Sequence, residues 1–130
     1  MDKKIKKPKY HKFCKLQELN DAGELFDKLS ILEIKGIYAK NNTSILNKAA
    51  NYFENLLLQL GDDIFLDVYN SKEYDKLFEA NDDIFIAIEK LENKRYEMLA
   101  ESLHELNKIR FKAKKKLQEH FFGELEEVKV

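Results

Sequence analysis

Residues 43–61 read TSILNKAANYFENLLLQLG, and within them Leu46, Ala49, Ala50, Phe53, Leu56, Leu57 and Leu60 recur every third or fourth position. Apolar residues at that spacing share one face of a 3.6-residue helix. Thr43 or Ser44 supplies a capping hydroxyl at one end, and Gly61 can leave the right-handed helix at the other. The stretch therefore predicts an amphipathic helix with a defined start and stop, and it sets the pattern for the rest of the chain.

Working toward the N-terminus, Asp21 with Glu24 three residues later opens a second such segment. It runs through Leu25, Leu29, Leu32 and Tyr38 and ends near Asn41 and Asn42. Toward the C-terminus, residues 62–70 are apolar but short, which suits either a helical turn or a packed connector. Ser71 with Tyr74, Leu77, Phe78, Ile84, Phe85, Ile88 and Leu91 marks another helix. Leu99, Leu103, Leu106, Ala113 and Leu117 mark a last one that stops before Gly123. No breaker separates these two near Asn93 to Tyr96, so they read either as one long kinked helix or as a hairpin, and a domain of this size favours the hairpin. Short connections predict antiparallel neighbours. The expected fold is all-α, an up-and-down antiparallel bundle of four main helices over residues 20–130, preceded by a basic, flexible N-terminal arm over residues 1–19.

Composition agrees. With 130 residues the chain suits one domain, and four glycines and one proline are too few to punctuate an all-β protein. A content of 44% apolar and 36% charged residues fits amphipathic helices with solvated outer faces and is too apolar for a disordered chain. The single cysteine, Cys14, has no internal partner for a disulfide and no neighbour at metal-ligand spacing, which points to a cytoplasmic setting without a zinc site. Apolar runs last only a few residues, and lysines stand where the apolar core of a signal peptide would be. Neither a membrane span nor secretion is expected.

Charge is unevenly spread. Residues 1–15 hold seven lysines and one aspartate, a local excess of +6 that leaves −7 on the remainder of a chain with net charge −1. A basic arm with Tyr10 and Phe13 between its lysines would suit nucleic acid, an anionic membrane or an acidic partner. The plainer reading is a disordered, solubilising tail able to fold back on its own acidic body.

The informative exceptions are polar residues on apolar faces. On the first helix Glu33 projects between the arc of Leu25, Leu29 and Leu32 and that of Phe26, Ile34 and Ile37, and Asp27 lies between Ile34 and the pair Ile31 and Tyr38. Glu24, Lys28 and Lys35 share the polar side. On the last helix Arg110 falls within the leucine stripe, with Lys114 at i+4 and Asn107 at i−3. Asn81 and Glu92 interrupt the apolar arc of the third. A buried charge must find a partner, so Glu33, and with it Asp27, is expected to pair with Arg110 and Lys114, with Asn107 and Asn81 completing the hydrogen bonds. Such a cluster admits three readings: a structural network that fixes helix register, a pocket where Arg110, Lys114 and Asn107 hold a small anion oriented by Glu33, or a homo-oligomer interface. His11, His104 and His120 form no metal constellation, and no phosphate loop or nucleophile motif is present.

These residues also carry a resemblance. Gly23-Glu24-Leu25-Phe26-Asp27-Lys28-Leu29-Ser30-Ile31-Leu32-Glu33-Ile34-Lys35 resembles the signature of the uncharacterised domain-of-unknown-function family numbered 6165. Leu99-Ala100, Asn107, Arg110, Lys114, Gly123 and Glu127-Val128-Lys129 follow the family's C-terminal pattern in order. Glu92 departs from it where the family tends to a basic residue, and the arm before residue 20 is foreign to it. The resemblance implies a bacterial or phage setting near sugar- and surface-glycan-related genes, without a reaction.

The function expected on these grounds is an accessory binding protein for a phosphate- or carboxylate-bearing ligand or a protein partner, through Asp27, Lys28, Glu33, Lys35, Asn107, Arg110 and Lys114. The resemblance places such a role near nucleotide-sugar or glycan metabolism. The alternatives are a compact helical lyase, isomerase or transferase using the same cations, and a nucleic-acid or interaction protein working through the arm. No cofactor is specified.

Overall fold

The periodicity seen in the sequence becomes five helices in the computed structural model, which describes residues 8–10, 22–39, 41–93 and 96–123, the side chains of 90–100 excepted. They are α1 (Ala22–Tyr38), α2 (Thr43–Leu60), α3 (Asp62–Tyr69), α4 (Lys72–Asn93) and α5 (Tyr96–Phe121). No strand occurs among the described residues. The all-α expectation holds, with four long helices forming the bundle and the undecided segment after Gly61 forming the short α3.

The helix ends follow local chemistry. The cap of α2 is Asn42 rather than Thr43 or Ser44: its extended backbone lets the side-chain oxygen accept from the Ile45 amide at 3.2 Å. Gly61, at φ 83°, ends α2 by donating to the Leu57 carbonyl at 2.8 Å and starts α3 by accepting from the Phe65 amide at 3.0 Å. Ser71, the first residue of the expected segment, caps α4, its hydroxyl accepting from the Tyr74 amide at 3.1 Å. Gly123, at φ 88°, closes α5 by donating to the Gln118 carbonyl at 2.8 Å.

Cross-helix contacts give the directions. Phe26 meets Tyr74, Ser30 meets Asn81 and Tyr38 stacks on Phe85, so α1 and α4 run parallel. Gly23 lies against Gln118 and Asp27 against Arg110, so α5 runs antiparallel to α1. His120 near Glu73 confirms the hairpin between α4 and α5. Gly36 against Leu46 brings α2 back along α1. The order is up, down, up, down, with α3 crossing one end between α2 and α4.

Helix α1 touches all three other long helices and is accordingly buried around much of its circumference: Ala22, Gly23, Phe26, Asp27, Leu29, Ser30, Ile34 and Gly36 are all covered. The core centres on Phe26, Leu29, Phe65, Leu77, Leu117, Phe121 and Phe122. Phe65 is held edge-on by Phe53 at 4.7 Å and stacked on Phe26 at 5.8 Å.

Of the arm, Lys9 and Tyr10 fold back onto the body. Their amides donate to the His120 and Phe121 carbonyls at 3.0 and 2.6 Å, and Tyr10 packs on Phe121 and Phe122. The Lys9 ammonium and the Tyr10 hydroxyl both reach the Asp67 carboxylate, at 2.8 and 2.6 Å. Phe13, Cys14 and the other arm lysines lie outside the described residues, as do Asp21 and the 127–129 ending.

Candidate functional site

Two inward carboxylates on α1 organise the polar interior, and they do so differently. Asp27, 1% exposed, receives the Arg110 fork on both oxygens, Nε to Oδ1 at 3.1 Å and the terminal nitrogen to Oδ2 at 2.5 Å. Asn81 from α4 adds a bond to Oδ1 at 2.8 Å and one to the Ser30 hydroxyl at 2.7 Å, while Ser30 donates to the Asp27 carbonyl. A buried carboxylate is tolerable when a bidentate guanidinium and an amide take its lone pairs. The hydrogen bond that Arg110 donates to Asp27 raises its pKa, against the opposing effect of burial. Arg110 is thus fixed as a cation across α1, α4 and α5.

Glu33 does not join this knot, which corrects the expected pairing with Arg110. Six residues further along α1 it stands about 9 Å along the axis and about 240° around it from Asp27. With α5 antiparallel, the Arg110 end of that helix faces the start of α1. Glu33 faces α3 and α4 instead, where the Tyr69 and Tyr74 hydroxyls each donate to one of its oxygens at 2.5 Å. Burial first, then the bond to Glu33, pushes both phenols well above their ordinary value, so both stay protonated donors. Among the described residues no lysine, arginine or histidine pairs with Glu33.

Other expected site residues disperse. Lys114 takes Glu24, which is half exposed rather than fully solvated. Lys28 and Lys35 are exposed on the outer side of α1. Asn107 is also exposed: it falls about 80° from the centre of the buried line Ala113, Leu117 and Phe121, against about 20° for Arg110. Asn81 is buried in the knot as expected, and Glu92 lies outside the described side chains. His104 and His120 are at the surface, and no group of three metal-ligating side chains occurs among the described residues.

Around Glu33 lies an open groove of about 750 Å³. Glu33, Tyr69 and Tyr74 form one side, with Asp75 and Asn70 at the rim, and Ile37, Leu46, Ala49 and Phe78 supply apolar walls. Gly36 belongs to the floor, where a Cβ would stand 3.3 Å from Leu46 Cδ2. Ile37 and Leu46 remain 53% and 41% exposed, so apolar surface lines the mouth.

Besides Ser30 of the knot, two more polar residues escaped sequence reasoning. Gln118, 7% exposed, accepts from the Gly23 amide at 2.7 Å and donates to the Gly123 carbonyl at 2.9 Å, tying the start of α1 to the end of α5. Tyr52 of α2 presents a buried hydroxyl with no hydrogen-bond partner among the described residues; burial, then the nearby Glu24 and Asp27 charges, raise it. Gln118 sits on the stripe with Arg110 and Lys114 at i+4 intervals, a spacing that could have flagged it.

No family model matches the chain, and neither the curated proteins nor the solved structures give a match. No helix among the described residues is long and apolar enough to cross a membrane.

Proposed function

We propose that the chain is a non-catalytic helical binding module whose ligand enters the groove over Glu33. The observation that carries this is the contrast between the two inward carboxylates. Asp27 is neutralised by Arg110 within the protein, whereas among the described residues Glu33 is held by phenols alone and borders an open, partly apolar groove. A paired knot does structural work, while an accessible groove with a few converging polar groups is what small-molecule sites look like. The ligand in this reading is amphipathic.

A second reading, the anion site, keeps one observation in its favour. The Arg110 side chain is 31% exposed and that of Lys114 19% exposed, so an anion could approach their outer edges. It would compete there with Asp27 and Glu24, and Lys28, Lys35 and Asn107 do not converge on it. The accessory role in glycan metabolism belongs to this second reading, as does the enzyme alternative, since both use the same cations.

Titrating the full chain with neutral and charged amphiphiles while following backbone and guanidinium NMR signals decides between them. Shifts confined to Ile37, Leu46 and Ala49 support the groove. Shifts at Arg110 and Lys114 on adding carboxylates or phosphates, with the groove silent, would replace it with the anion site.

A further inference from the structure

The groove's chemistry narrows what it takes. Among the described residues its lining holds two carboxylates, Glu33 and Asp75, and no basic side chain. Both Glu33 oxygens already accept from phenols, which orients the carboxylate, and no cation pairs with it among the described residues. Beside it, Tyr69 and Tyr74 stand 5.1 Å apart ring to ring and Tyr74 and Phe78 6.4 Å, so the acid sits at the hydroxyl edge of a packed aromatic cluster. A carboxylate beside apolar walls attracts organic cations, whose charge it meets while their weakly hydrated alkyl groups leave water for the walls. An anion there would meet like charge, and a bare metal ion would find Glu33 with both oxygens engaged by phenols and the single carboxylate of Asp75 to coordinate it.

From this juxtaposition we infer that the groove recognises an organic ammonium carrying an apolar chain, with the cation against Glu33 and the chain along Ile37, Leu46 and Ala49. The inference rests on the binding-module reading above and adds the ligand's chemical class. The exposed apolar mouth gives the chain its place, since Ile37 and Leu46 are more open to water than core residues of their type. Glu33 plays for the ligand the part that Asp27 plays for Arg110, a carboxylate set in place before its cation arrives.

The test is calorimetric titration of the full chain with hexyltrimethylammonium, hexanol and hexanoate, repeated on Glu33→Gln. The expected result is binding of the ammonium on the order of tenfold tighter than the alcohol, with hexanoate weakest, and loss of that advantage in Glu33→Gln while hexanol is unchanged. Equal binding of all three probes, or an unaltered ammonium affinity in Glu33→Gln, overturns the ammonium inference and leaves the groove standing. Binding of none of them overturns both and makes Glu33, Tyr69 and Tyr74 an internal staple. Should Glu33→Gln not fold, the probe series on the parent chain decides alone.

Discussion

Arg110 closes on Asp27 through two parallel hydrogen bonds, at 3.1 and 2.5 Å, across 83 residues of sequence. The carboxylate is 1% exposed and the arginine side chain 31%, so the pair spans the boundary between core and surface. Replacing Arg110 with Met strands the Asp27 charge, and the expected cost is about 3–5 kcal/mol. Removing both charges in Asp27→Leu with Arg110→Met should recover a large part of that loss, because the penalty belongs to the unpaired ion. Urea melts of the single and double variants read this directly; a double variant no better than Arg110→Met would show that the knot acts through geometry instead.

Gly23 is a site of close approach between α1 and α5. A Cβ there would stand 3.0 Å from the Lys114 backbone carbonyl oxygen and 3.3 Å from Gln118 Cβ. Gly23→Ala should therefore destabilise by about 1–3 kcal/mol despite alanine's better helix propensity. Gly36→Ala is the control: its Cβ meets only the end of the Leu46 side chain, and thermal melting should show little change or a gain.

Tyr69 and Tyr74 predict alkaline sensitivity. Their folded-state values lie above the ordinary phenol value of 10.0, through burial and then the bond to Glu33. A group raised in the folded state contributes fully below its unfolded value and loses that contribution as pH rises, so stability should fall above about pH 10. Tyrosinate absorbance from these two residues should appear together with loss of helical circular dichroism. Ionisation of all the tyrosines while the helical signal persists would contradict the assignment.

At the arm, Lys9 and Tyr10 should differ in weight. The Lys9 ammonium is half exposed, so Lys9→Met is expected to change stability by less than about 1 kcal/mol. Tyr10→Ala uncovers Phe121 and Phe122 and removes a donor from Asp67, and about 1–3 kcal/mol is expected. Equal, negligible effects in a denaturant series would mean that the body does not need this clasp.

Much of the fold was legible because it rests on local chemistry. The apolar period of residues 46–60, the stops at Gly61 and Gly123 and the helix start at Ser71 all involve residues within a turn or so of one another. Asn42 was missed as a cap because three adjacent polar residues can each do that work, and only backbone geometry selects one. The short α3 was undecided because its eight residues are too few for a period to declare itself.

The sequence by itself determined that Asp27 and Glu33 point inward, since position around a helix follows from residue number. Which cation, amide or phenol each would meet was decided by the tertiary structure, through the antiparallel register of α5 and the crossing of α3. Partners 83 and 36 residues away leave no mark in local spacing, because their meeting depends on how whole helices are offset. That offset gave Asp27 the guanidinium and left Glu33 at the groove.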